Sequence, residues 1–381
     1  VSPAGAGRGA RAGGHSPAML DRFTGSPLTR FVLTNGGHTD ALGPEVLLGL
    51  TEFLDLYVAE RVPTLTEGIE GALGLLGNAI FGVELELPAE RFTDVTSHED
   101  ALRQYEAEPP VRILFENGSR PGQPGAPYPG FAAGFAEWPI PEAEATTWHL
   151  AAGGALVTET PGDAVEEYDY DTSRSQLNTL ADDGNPWTAL PEWTWEPAPE
   201  GTALAYASAP LDQTLGGAGP GRGGVWLGST APDVDLQVTL SEIRTDGTEV
   251  YVQNGWLRAS HRRLDEERTT PLHPYHTHLE ADAEPLPEGE LTEVNVELFP
   301  FAHVFRAGSR LRLTIEAPGG TRPEWRFDAL EGEPGTVNRI GLGSATPSRL
   351  TLPVVAVDGD PAEPPPCPSL RGQPCRPVAE I

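Results

Sequence analysis

From residue 111 to about residue 355 the sequence repeats one device: a short run of alternating apolar and polar residues, closed by a turn of Gly, Pro or Asp. Side chains of an extended strand point to opposite faces in turn, so this alternation predicts strands with one face toward a core. In 236–243 (LQVTLSEI), Leu236, Val238 and Leu240 point one way, and Gln237, Thr239 and Ser241 the other. Further strands are expected at 111–115, 146–152, 224–229, 248–260, 293–299 and 310–317, with turns such as Asp246-Gly247 between them. No helical crossover interrupts the series. The 44 Gly and 39 Pro of the 381 residues fit a turn-rich β protein. Many short strands without crossovers argue a sandwich or jelly roll.

Ahead of this region the pattern differs. Residues 1–18 contain no carboxylate, are mostly Gly, Ala, Arg, Ser and Pro, and are expected to be disordered. Residues 28–34 (LTRFVLT) have strand character. They lead through Asn35-Gly-Gly-His38 to a run opened by Gly43-Pro44, with apolar residues at 46, 47, 50, 53, 54, 57 and 58. That is helical spacing, and Pro suits a first helical position. Residues 64–83 read as helix or loop, and 97–107 as a short acidic helix. The domain reading is therefore 1–18 disordered or aberrant, 19–110 strand and helices around His38, 111–357 β, and 358–381 a Pro-rich tail.

The net charge of −31, with every basic residue an Arg, disfavours nucleic acid and anionic membrane surfaces as partners. No apolar run approaches the roughly 20 residues of a membrane helix. The only cysteines, Cys367 and Cys375, are spaced for one small disulfide loop, which would fit an extracellular setting. Two free thiols fit the sequence equally well.

Four features carry candidate chemistry. His38 sits on a loop between strand and helix, where an α/β-hydrolase places the imidazole that takes a proton from Ser and returns it to the leaving group. A surface or capping His in a Gly turn fits as well. Gly-x-Ser-x-Gly occurs nowhere, and neither Asp21 nor Asp40, the acids near His38, stands where a triad acid should. His273, His276 and His278 could ligate a divalent ion, yet a polar loop describes them better, so neither metal nor cofactor is called for. Trp187, Trp193 and Trp195 could stack on sugars, or cover the edge of a sandwich.

At residues 19–60 (MLDRFTGSPLTRFVLTNGGHTDALGPEVLLGLTEFLDLYVAE) the chain resembles the region around the catalytic His of the X-Pro dipeptidyl-peptidase and cocaine-esterase-type serine hydrolases. Gly228, Asp233-Val-Asp235-Leu, Asp246-Gly247, Gly255-x-Leu257-Arg258-x-Ser260 and Phe305-x-x-Gly308-x-Arg310-Leu311-Arg312-Leu313 are similar to that family's C-terminal β domain. The resemblance covers 19–355 and is strongest over 224–317. It implies a mixed fold: the C-terminal part of an α/β-hydrolase domain, followed by a non-catalytic jelly roll of the galactose-binding-like kind. It also implies acyl ester, amide or X-Pro peptide substrates in the intact parent enzyme. Only His38 maps onto the catalytic triad, so the chain is expected to be inactive alone. An upstream half, a split gene or a frameshift would account for the Ser and acid. The competing expectation is a stand-alone binding or interaction module on the β domain.

Overall fold

The computed structural model describes residues 5–6, 16–26, 28–65, 71, 73–75, 77–173, 178–180, 185, 187–318, 329–358 and 363–379; at Gly5–Ala6, His38 and Asn178–Leu180 only the backbone is described. The chain divides into two compact units.

The first unit comprises 1–141, 183–192 and 357–373. Its sheet has four strands in sequential order, β1 (Gly5–Ala6), β2 (Phe31–Thr34), β3 (Val111–Phe115) and β4 (Phe131–Phe135). β1, β2 and β3 run parallel, and β4 returns antiparallel. Of the stretch 1–18, expected to be disordered, Gly5–Ala6 pair with β2 and Ser16 opens a 3-10 helix that runs to Arg22; residues 1–4 and 7–15 lie outside the described residues.

The described residues between β2 and β3 include the helices α1 (Pro44–Tyr57) and α2 (His98–Glu106). Pro44 takes the first position of α1, where its missing N–H costs nothing. Ser97 caps α2 by accepting the Asp100 amide at 3.1 Å. The periodic spacing gives helix α1 but not its buried face. Val46, Leu48 and Leu56 are buried together with Glu52 and Asp55, while Leu50, Leu54 and Val58 are exposed. Arginines explain the buried acids: Arg91 Nε donates to Glu52 at 2.9 Å, and Arg61 lies 2.7 Å from Asp55.

The second unit comprises 142–182, 193–356 and 374–381. It contains β5 (Glu144–Ala151), β6 (Ala155–Val157), β7 (Ala164–Asp169), β8 (Asn178–Leu180), β9 (Trp193–Trp195), β10 (Ala203–Ser208) and β11 (Leu215–Ser229). After them come β12 (Asp235–Ile243), β13 (Thr248–Arg258), β14 (Thr292–Phe305), β15 (Arg310–Glu316), β16 (Val337–Leu342), β17 (Arg349–Val355) and β18 (Cys375–Pro377). Twelve of these form one sheet, ordered β18-β13-β12-β15-β10-β6-β5-β17-β11-β16-β7, with β14 pairing β11; β8 and β9 pair separately. Almost all pairings are antiparallel, and among its described residues the unit is mostly β with no α-helix between strands.

Leu236, Val238 and Leu240 enter the core of this unit with Val225, Leu227, Val296, Leu313 and Ile315, as the alternation predicts. Each such side chain contributes about 1.5–3 kcal/mol by leaving water. The opposite face of β12 is buried as well, and there the polar groups are matched. Gln237 Nε2 donates to Glu316 at 3.1 Å, Trp256 Nε1 to Gln237 Oε1 at 2.6 Å, and the Ser241 hydroxyl to Glu249 at 2.7 Å.

Over its described residues, the Pro-rich segment read as a tail is folded. Ser369, Leu370 and Arg371 are buried, β18 pairs β13, and Cys367 and Cys375 are both disulfide-bonded. Among the described residues no helix is long and apolar enough to cross a membrane.

Candidate functional site: the loop of His38

The order expected from sequence, strand then Gly-Gly loop then helix, is the order observed. β2 ends at Thr34; Asn35, Gly36 and Gly37 turn the chain; His38–Leu42 form a 3-10 helix, and α1 follows Gly43. The His38 backbone opens the 3-10 turn, and its side chain lies outside the described residues. Because β2 and β3 are parallel, the loop leaves from the C-terminal end of a strand, where open α/β sheets place their ligands.

One carboxylate organises this loop. Asp40 Oδ2 accepts the Gly37 amide at 2.8 Å and the Asn117 side-chain amide at 3.1 Å; Oδ1 accepts Arg371 Nε at 2.6 Å. The Asp40 amide returns to the Gly37 carbonyl at 3.0 Å, and the Gly43 amide to the Asp40 carbonyl at 2.9 Å. Gly36 is needed because a β-carbon there would overlap the Asp40 carboxylate. The Asp40 and Arg371 side chains are 1% and 2% exposed. Burial pushes the Asp40 carboxyl above the ordinary carboxylate range, and the Arg371 charge and hydrogen bonds work against that rise. With three donors on its two oxygens, Asp40 is engaged in holding the loop. Asp21 is exposed on the 3-10 helix Ser16–Arg22, 3.5 Å from Arg22.

Arg371 is a residue that sequence reasoning passed over. Its Nη1 donates to the carbonyls of Gly125 and Thr188 at 2.9 Å and of Ala189 at 3.2 Å. Its guanidinium lies 5.0 Å from the Phe81 ring centre, and its amide donates to the Asn117 carbonyl at 2.9 Å. Two residues on, Gln373 Oε1 accepts from the Asn35 side chain at 3.1 Å. The only signal in the sequence is an Arg between two cysteines, and no periodicity links it to a loop over 300 residues earlier.

The three His candidates and Trp195 belong to the second unit. His273 Nε2 is 3.2 Å from Glu297. The rings of His276 and His278 are 5.5 Å apart, and those of His261 and His278 6.4 Å. Burial pushes His276 down to about 4, with the nearby positive groups adding to the effect. Among the described residues no three His, Cys, Asp or Glu side chains are grouped to hold a metal ion. Trp195 is buried edge-on against Tyr251 at 5.7 Å, with Arg376 over its ring at 3.9 Å, so both its neighbours are protein groups. Trp187 is half-buried in the first unit, its ring close to Gly37.

Over its described residues the chain is mostly β with few helices, a fold it shares with a solved CocE/NonD family hydrolase. Residues 104–351 match the X-Pro dipeptidyl-peptidase C-terminal non-catalytic domain, and the chain belongs to that family.

A Mycobacterium bovis protein named "Putative serine esterase Mb1866c" is 30% identical over 227 residues, which is 57% of this chain and 35% of that protein. The cocaine esterase of a Rhodococcus species is 24% identical over 243 residues, 58% of this chain and 39% of the esterase. The chain thus spans 35% to 39% of the length of these curated relatives. Among solved structures, a CocE/NonD family hydrolase from Staphylococcus aureus superposes with a TM-score of 0.60 at 19% identity, covering 90% of this chain and 52% of the hydrolase. An α-amino acid ester hydrolase superposes with a TM-score of 0.53 at 16% identity, covering 91% of this chain and 53% of the other.

Proposed function

We propose that the chain is the C-terminal portion of a serine hydrolase of dipeptidyl-peptidase or acyl-esterase type, contributing His38 as the proton shuttle and, later in the sequence, a non-catalytic β domain. On this reading residues 19–110 belong to an α/β-hydrolase domain, with β3 extending the same parallel sheet. The second unit is a jelly roll of the galactose-binding-like kind. The observation that carries the reading is the loop of His38, which leaves the C-terminal end of a parallel strand and is pinned by a buried carboxylate. The family match over 104–351 supports the assignment of the β domain.

The chemistry then runs as in Ser–His–acid acyl transfer. His38 takes the seryl proton as the nucleophile attacks an ester, amide or X-Pro peptide carbonyl, and hands it to the leaving group. The Ser and its acid come from polypeptide outside this sequence, because Gly-x-Ser-x-Gly is absent and Asp40 is already engaged. Imidazole without a hydroxyl to activate does not sustain acyl transfer, so the chain alone is inactive.

The test is hydrolysis of p-nitrophenyl acetate by the purified chain, alone and mixed with a hydrolase polypeptide that carries the Ser elbow. The expected result is no turnover above buffer alone, turnover on mixing, and loss of that turnover with His38→Ala. Turnover by the chain alone that survives His38→Ala would overturn the assignment.

A further inference from the structure

We propose that Arg371 is the positioning residue of the His38 loop: its guanidinium fastens Asp40 to three backbone carbonyls and so fixes where the loop is held. This rests on His38 as the proton shuttle. The argument is geometric. Arg371 Nε meets Asp40 Oδ1 at 2.6 Å while Nη1 reaches Gly125, Thr188 and Ala189, so one planar group ties the loop to two other segments of the first unit. Asp40 passes the constraint on through its Oδ2 to the Gly37 amide, the residue before His38. The Asn35–Gln373 hydrogen bond holds the front of the same loop, so both its ends are fastened by the segment 371–373. Both side chains are buried, and the four acceptors need donors in a fixed planar fork. A Lys ammonium at the end of a flexible stem supplies the charge without that fork.

Hydrogen exchange on the full chain tests this, comparing wild type with Arg371→Lys and Arg371→Met. Amides of 35–43 are expected to exchange at least about tenfold faster in both variants, while α1 and β16 stay within about twofold of wild type. Unchanged exchange at 35–43 in both variants overturns the proposal. So does acceleration spread evenly over every peptide of the first unit, which would make Arg371 a general strut. Should the Met variant fail to fold, the Lys variant decides by the same readout.

With the Ser-bearing polypeptide added, Arg371→Lys is expected to lower kcat about 100-fold with KM within about twofold, because misplacement affects the reacting geometry more than substrate binding. A kcat equal to wild type overturns the proposal. The His38→Ala control separates the two claims: hydrolysis indifferent to it removes the catalytic reading, while the exchange result still reports on how the loop is held.

Discussion

The α-carbon of Gly255 lies against the backbone carbonyl of Glu297, so closely that a β-carbon at position 255 would overlap the oxygen. Gly255 is on β13 and Glu297 on β14, and the space between them admits no side chain. Gly255→Ala is therefore expected to destabilise the second unit by about 1–3 kcal/mol or more through overpacking. Gly162→Ala, where nothing lies within 4 Å, should stay within about 0.5 kcal/mol of wild type. Urea unfolding midpoints decide it; equal midpoints for both variants would refute the account.

Asp235 is fully buried and accepts Arg258 Nε at 2.9 Å, Arg258 Nη2 at 3.2 Å and the Leu330 amide at 2.7 Å. Removing one partner of such a pair strands the other. Arg258→Ala should cost about 3–5 kcal/mol, because it strands a fully buried carboxylate, and Asp235→Ala less, since the Arg258 side chain is 33% exposed and water can hydrate the guanidinium left behind. A double-mutant cycle on the same unfolding assay should give a coupling of at least about 1 kcal/mol. Strict additivity would mean that the pair is unimportant.

His276 should make stability depend on pH. Its pKa is about 4 in the fold against an ordinary 6.5, because burial disfavours the imidazolium. Between these values the unfolded chain binds a proton that the folded chain refuses. Stability is therefore fully present above 6.5 and falls as the pH drops toward 4. His276→Gln should flatten that part of the profile relative to wild type. Parallel profiles for the two proteins would show that the imidazole is not the source.

Leu50, Leu54 and Val58 recur every fourth residue along α1 and are 38%, 45% and 71% exposed. A stripe of this kind binds apolar dyes and promotes self-association. Leu54→Arg with Val58→Arg should reduce anilinonaphthalene-sulfonate fluorescence, and unfolding should change by no more than about 0.5 kcal/mol. Undiminished fluorescence would place the apolar surface elsewhere.

The alternation in 236–243 was enough to read β12 and its core face, and the 3.6-residue spacing was enough for α1. In both cases the signal is local. The phase of α1 was not legible, because it depends on Arg91, 39 residues from its partner Glu52, and on Arg61, past the end of the helix, pairing with Asp55. The strand at 111–115 was legible too, but its parallel pairing with β2 was not, since pairing is decided by residues about 80 positions apart. His38 stood out because a Gly-Gly turn between strand and helix is a compact pattern. Asn117 and Arg371, which hold that loop, come from elsewhere in the chain and carry no pattern of their own. Trp256 explains part of the Gly255-x-Leu257-Arg258 signature: its indole satisfies Gln237 on the buried polar face.

The partners Asp40 and Arg371 stand 331 positions apart in the chain. A ribosome emits Asp40 331 residues before the guanidinium that fastens it. A nascent or prematurely terminated product can thus fold its β strands and still present an unfastened loop, so the geometry around His38 is set only in chains translated through residue 371.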